Sequence, residues 1–162
     1  MAEIYAYLDL DGVEGESQDA KYQKKIEVQS FSWGAVNHSS FHHGTGSGIG
    51  KGQIQDITVS KFTDHASLQL FQNCTTGKVM SKGKLTLLKL QGETKIPYLE
   101  VELTHPVVTS FQISGNGNGD LPMEHVTVHF QAFKSKYQPQ GDSGDPQGNV
   151  DFGWDIQQNA PA

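Results

Sequence analysis

The chain has 162 residues, enough for one domain with a sizeable core, and its 35% hydrophobic and 19% charged content marks it as globular rather than disordered. The net charge is −6 and all twelve basic residues are lysine. Such a chain has neither the arginine fork that reads phosphate or guanine nor the counterion-release drive of a basic surface, which excludes nucleic acid as a partner. One cysteine, Cys74, rules out an intrachain disulfide framework, and no apolar run is long enough to insert in a membrane.

Ile4, Ala6, Leu8 and Leu10 alternate with Tyr5, Tyr7 and Asp9, the period of a half-buried strand. The polar stretch 11–25 interrupts it. A second strand is predicted through Ile26, Val28, Phe31 and Trp33, whose apolar parity shifts between Val28 and Phe31, as at a bulge or where both faces are buried. Ser30 and Ser32 alternate with the aromatics and are presented on the opposite side. Residues 37–52 form a long loop rich in glycine, serine and histidine, and a loop of that length inside a compact domain is usually functional or disordered.

Strand character resumes over 53–62. A helix is then predicted from Asp64 as N-cap to Gly77 just past its end, with Leu68, Leu70, Phe71 and Cys74 sharing its buried side. Cys74 reads as a small buried residue. Leu85–Leu90 is a strongly apolar strand, and Leu99, Val101 and Leu103 alternate with Glu100 and Glu102. Val107, Thr109, Phe111 and Ile113 continue that pattern beyond Pro106, which belongs at an edge or a bulge. The run from Gly115 to Asp120 is a hairpin turn, and Val126, Val128, Phe130 and Ala132 form the return strand. A Gly/Pro/Asp/Gln loop over 139–149 leads to a final strand, Val150 to Ile156. The order is strands, one helix, then strands, read as a single domain over residues 1–162 with no internal repeat.

Motifs that suggest chemistry fail on spacing. Gly141-Asp142-Ser143-Gly144 matches a protease nucleophile segment, but Asp145 follows where glycine is required, and the segment lies in a loop. Gly50-Lys51 lacks the glycine at 45 and the hydroxyl residue at 52 that a phosphate loop needs. His125 and His129, four apart on a strand, lie roughly 13 Å apart and cannot share an ion. His38, His42 and His43 have no cysteine or carboxylate at ligand spacing. No catalytic residue, metal or cofactor is expected, and the protein is read as not an enzyme. What remains is architectural: many strands, a long loop and the aromatic strand Phe31-Ser32-Trp33 suggest surfaces meant for other copies.

An ordered set of segments resembles the haemolysin-coregulated protein family, the tube proteins of type VI secretion. It comprises Asp11-Gly12-Val13-Glu14-Gly15-Glu16-Ser17, Ile26-Glu27-Val28, Phe31-Ser32-Trp33-Gly34 and the Gly-rich loop. It continues with Lys61-Phe62-Thr63-Asp64, Cys74-Thr75-Thr76-Gly77-Lys78 and Tyr98-Leu99-Glu100-Val101, and closes with Lys136-Tyr137-Gln138-Pro139-Gln140 and Gly153-Trp154-Asp155-Ile156. The resemblance implies a mainly β fold: a single β-barrel flanked by one α-helix, with a long extended loop, assembling as a homohexameric ring. Such rings stack into a phage-tail-like inner tube that is exported and carries small effectors in its lumen. The implied partners are further copies of the chain, the contractile sheath, spike and baseplate proteins, and small effector proteins. The implied itinerary is assembly in the bacterial cytoplasm, then secretion without a cleaved signal peptide.

Two groups of residues are singled out on this reading. Ser30 and Ser32 are the candidate lumen and cargo contacts. Asn37, His42, His43, Gly46, Gly48 and Lys51 are the candidate inter-subunit loop. A solvated lumen is expected from Glu100, Glu102, Thr127 and His129. The rival readings are a carbohydrate-binding β-sandwich, favoured by a monomer in solution, and a hydrolase built on Ser143, favoured by turnover lost in Ser143→Ala.

Overall fold

The computed structural model describes residues 5–38, 51–139 and 148–162. The strand residue Ile4, the loop residues His42, His43, Gly46 and Gly48, and the Gly141–Gly144 segment with Ser143 lie outside the described residues.

The elements in chain order are β1 (Ala6–Leu10), β2 (Ile26–Glu27), β3 (Ser30–Ser32), β4 (Ala35–Val36), β5 (Gln53–Ile54) and β6 (Ile57–Phe62). After α1 (Ser67–Thr76) come β7 (Lys82–Gln91), β8 (Thr94–Thr104), β9 (Val107–Ser114), β10 (Met123–His129), β11 (Ala132–Tyr137), β12 (Val150–Asp155) and β13 (Ala160–Pro161). They build a seven-stranded sheet in the order β13-β12-β11-β8-β7-β1-β2, a four-stranded sheet in the order β3-β6-β10-β9, and the short pair β4-β5. The expected closed barrel is therefore corrected: the main sheets are open, and no ladder joins one to the other among the described residues.

The chain passes between the sheets four times, once through α1 and three times at direct corners, the first of which explains where sequence parity slips. At the first, the Val28 N–H donates to the Ala6 carbonyl in the large sheet, while the neighbouring Gln29 N–H donates to the Ser60 carbonyl in the small one. The shift between Val28 and Phe31 is thus a change of sheet rather than a bulge. At the second, β8 ends at Thr104, His105 takes a left-handed φ of 50°, and Pro106 leads into β9 of the other sheet. At the third, the expected return strand from Val126 to Ala132 divides: β10 ends at His129, Phe130 is fully buried at the corner, and Ala132 opens β11.

Between the sheets lies one apolar core. Leu8, Leu10, Leu85, Val101, Leu103 and Phe133 of the large sheet meet Ile57, Val59, Val108, Val126 and Val128 of the small one. Trp33 seals one end, with its ring edge-on to Phe133 at 4.8 Å and its Nε1–H donating to the Gln55 carbonyl at 2.9 Å. Burial of this apolar surface is the main force holding the sheets together.

The helix departs from expectation at its start and in its orientation. It begins at Ser67, three residues after Asp64. Asp64 instead caps the preceding turn, its Oδ1 accepting from the Ala66 N–H at 2.9 Å. The end is as expected: Gly77 adopts φ 68° and its N–H returns to the Asn73 carbonyl. The buried residues are Ser67, Leu70 and Asn73, one position per turn, while Leu68 and Phe71 are exposed. The reason is placement. The helix packs along β9, the edge of the small sheet, so only a narrow stripe of it faces inward. Phe71 lies over Phe111 of that edge strand at 5.3 Å between ring centroids.

Candidate assembly surfaces

The two sheets present contrasting faces to solvent, because residues directly opposite one another across a ladder share a face. On the small sheet the outer rows are Ser32–Thr58–Thr127–Ser110 and Ser30–Ser60–His125–Gln112. Thr58 and Thr127 hydroxyls are 3.1 Å apart, and Ser60 Oγ lies 2.9 Å from His125 Nδ1. These two rows carry hydroxyls, an amide and one imidazole, and no carboxylate or ammonium. Ser30 and Ser32 sit on this face, on the free edge strand β3. Phe31 faces the core side opposite Val59, yet remains 42% exposed because nothing further pairs with its strand.

On the large sheet the outer rows are Tyr7–Thr86–Glu100–Lys136–Asp151 and Asp9–Lys84–Glu102–Lys134–Gly153. Acid and lysine alternate across the ladder, with Lys84 3.3 Å from Glu100 and Lys25 2.9 Å from Asp9. The four residues expected to form one solvated lumen therefore divide: Glu100 and Glu102 lie on this face, Thr127 and His129 on the small sheet. The segment 11–25 folds back over this face, stacking Tyr22 on Tyr7 at 4.7 Å and leaving Tyr7 buried. Burial raises the Tyr22 pKa above the usual tyrosine range, reinforced by the negative charges of Glu100 and Asp19 and by Tyr7. An open groove of about 900 Å³ separates the segment from β1, β7 and β8, lined by both lysines and acids.

The inward rows of the large sheet overrun the core. Ala6–Leu87–Leu99–Tyr137–Val150 and Leu8–Leu85–Val101–Ser135–Phe152 begin under the small sheet and end beyond it. Tyr137, Val150 and Phe152 are accordingly 43%, 63% and 56% exposed. The inward face is thus left uncovered at this end of the large sheet among the described residues.

Inside the small sheet sits a buried charge cluster that sequence reasoning missed. Lys61 and Glu124, both fully buried, face each other across β6 and β10, with Nζ 2.7 Å from Oε1. The same ammonium lies 2.8 Å from Asp64 Oδ1 and donates to Ser67 Oγ at 3.3 Å and to the Phe62 carbonyl at 3.0 Å. It thereby ties the start of α1 to the sheet. Glu124 Oε2 has no hydrogen-bond partner among the described residues. A signal was available: Lys61 occupies the apolar parity of Ile57 and Val59, and Glu124 that of Val126 and Val128.

Of the candidate loop residues, Asn37 and Lys51 fall among those described. Lys51 anchors the foot of the loop to its own chain, donating to the Asn159 carbonyl at 2.7 Å with its ammonium 5.9 Å from the Trp154 ring centroid. His125 bonds Ser60, and His129 bonds Asp56 at 2.6 Å.

The comparisons with known proteins place this open two-sheet fold in type VI secretion. The family model described as the type VI secretion system effector Hcp matches residues 7–137. The protein hcp1 of Pseudomonas aeruginosa is 36% identical over 157 residues, covering 96% of this chain and 97% of that protein. A solved type six secretion system protein superposes with a TM-score of 0.90 at 32% identity, over 99% of this chain and 100% of the other. Hcp1 of Salmonella typhimurium does so with a TM-score of 0.79 at 28% identity, over 98% of each. The chain belongs to the Hcp family, the haemolysin-coregulated proteins. That family consists of secreted structural components of the type VI system. No helix among the described residues is long and apolar enough to cross a membrane.

Proposed function

We propose that the protein is the subunit of the type VI inner tube: six copies close into a ring, rings stack, and the tube is exported with small effectors in its lumen. The observation that carries this reading is the uncovered apolar margin, Tyr137, Val150 and Phe152, together with the two edge strands of the small sheet, β3 and β9, the latter flanked by α1 and bridged by Val79 at Val107. These edges lie on opposite sides of the sheet, so a contact between β3 of one copy and β9 of the next is heterologous, the kind that closes a ring when its rotation allows. It would also cover Phe31, Phe111 and Ile113 and satisfy the unpaired edge groups.

On this reading the neutral face of the small sheet lines the lumen, with Ser30 and Ser32 as cargo contacts. An uncharged, hydroxyl-rich wall hydrates well and holds no fixed charge to trap a passing protein of either sign. The loop 37–52, with Asn37, His42, His43, Gly46, Gly48 and Lys51, reaches a neighbouring copy, Lys51 fixing its root. The charged face of the large sheet then looks outward to the sheath, while spike and baseplate proteins meet the tube at its end. Assembly takes place in the cytoplasm, and export needs no cleaved signal peptide. The work is done without catalysis, metal or cofactor.

Native mass measurement tests the ring: a sixfold mass is expected, and a monomer at micromolar concentration would overturn the reading. The Ser32→Gln variant tests the lumen assignment. It should form full rings yet lose effector retention, and rings that keep all cargo would remove Ser32 from the cargo wall.

A further inference from the structure

The hairpin between β9 and β10 carries Asn116-Gly117-Asn118-Gly119-Asp120, and residues 112–121 are all exposed. Of the six asparagines in the chain, these two alone precede glycine; the others precede His38, Cys74, Val150 and Ala160. Glycine matters because its backbone nitrogen carries no neighbouring Cβ to block approach to the preceding side chain. A Cβ built on Gly117 or on Gly119 meets nothing within 4 Å, so the turn leaves both positions open.

Both side-chain amide oxygens also accept a hydrogen bond from the backbone two residues on. The Asn118 N–H donates to Asn116 Oδ1 at 3.1 Å, and the Asp120 N–H donates to Asn118 Oδ1 at 3.2 Å. Each donor polarises the side-chain carbonyl whose oxygen gains charge when its carbon is attacked, as an oxyanion-stabilising donor does. By contrast, Asn73 is 2% exposed within α1, where the Gln69 side chain donates to its Oδ1 and the helix fixes its backbone.

We propose that this turn is a self-modification site, at which Asn116 and Asn118 deamidate through the nitrogens of Gly117 and Gly119. The deprotonated Gly117 nitrogen bonds to Asn116 Cγ. The Cγ–Nδ2 bond breaks, and ammonia leaves carrying the proton lost from the backbone. Water then opens the five-membered imide at either carbonyl, giving aspartate or, with the chain rerouted through the side chain, isoaspartate. The same steps apply at Asn118. Each conversion replaces a neutral amide by a carboxylate beside Asp120, so two take the chain from −6 to −8. The turn borders an open groove with Phe62, Leu121 and Met123, which acquires that charge as the protein ages.

The test is incubation of the purified full-length protein at neutral and alkaline pH, followed by peptide mapping with fragmentation that separates isoaspartate from aspartate. Asn116 and Asn118 should convert at least ~10-fold faster than Asn73, which reacts only in locally opened molecules. They should also outpace Asn149 and Asn159, with rates rising with pH as the amide nitrogen loses its proton. Gly117→Ala is the sharper probe, because Gly117 has open space and lacks the left-handed backbone of Gly119 at φ 94°. It should slow Asn116 at least ~10-fold and leave Asn118 unchanged. Conversion no faster than at Asn149 and Asn159, or an Asn116 rate unmoved by Gly117→Ala, would overturn the proposal. Either result would mean that the two hydrogen bonds clamp the turn rather than activate it.

Discussion

The two main sheets handle charge in opposite ways. The large sheet is apolar inside, through Leu8, Leu10, Leu85, Val101 and Leu103, and carries Asp9, Lys84, Glu100, Glu102, Lys134, Lys136 and Asp151 outside. The small sheet is neutral over its outer hydroxyl rows and has Lys61 and Glu124 on its buried side. Charge on a solvated face is weakly coupled to stability, because water and salt screen it. Buried charge must find its partners, and losing one strands the rest. The seven charged groups on the large sheet's outer face therefore carry less structural weight than the two buried in the small sheet.

That contrast can be broken most sharply at Lys61. Lys61→Met keeps the volume and removes the ammonium, leaving Glu124 and Asp64 facing each other, and should cost about 3–5 kcal/mol in urea unfolding. Neutralising all three positions together, as Lys61→Met, Glu124→Met and Asp64→Asn, should recover most of that loss. A single Lys61→Met variant as stable as the parent would show that the cluster carries no weight.

A smaller effect is expected where segment 11–25 covers the charged face. The Tyr22 pKa is raised in the folded chain, so the folded state holds that proton more tightly than the unfolded state does. Its contribution is fully present below the ordinary tyrosine value of about 10 and is lost as pH rises through the higher folded value. Protection factors of residues 11–25, corrected for the hydroxide-catalysed intrinsic exchange rate, should fall across that alkaline window, and Tyr22→Phe should abolish that fall. An unchanged profile in Tyr22→Phe would assign the loosening to another group.

The smallest effect belongs to the outer face itself. Lys84→Ala breaks the 3.3 Å pair with Glu100, whose side chains are 38% and 29% exposed, and should cost about 0–1 kcal/mol, less in high salt. A loss rivalling that of Lys61→Met would erase the distinction between the two sheets.

Much of this architecture was legible in periodicity. The alternation Ala6, Leu8, Leu10 and the run Leu85–Leu90 mark strands in any β context, and Gly77 ends its helix because only a left-handed residue fits there. Ser30 and Ser32 could be placed opposite the Phe31 face because successive strand residues alternate. The helix orientation was not legible: Leu68 and Phe71 look like core residues at helical spacing, and only the position of α1 along edge strand β9 leaves them exposed. The burial of Lys61 and Glu124 went unread in the sequence, although their apolar parity held the clue.

The sequence by itself determined the strand and turn inventory, the lack of arginine, the family and the alternation that sorts side chains into two faces, since all of these depend on local order along the chain. Tertiary structure decided which sheet each strand joins, that the two main sheets stay open, and which alternating faces meet. Those outcomes rest on hydrogen bonds between residues distant in the chain: Val28 bonds to Ala6, while its neighbour Gln29 bonds to Ser60. A one-dimensional pattern records that a residue wants burial or a strand wants a partner. It does not record which of several distant strands will supply the N–H and carbonyl groups, and that selection comes only when the whole core packs at once.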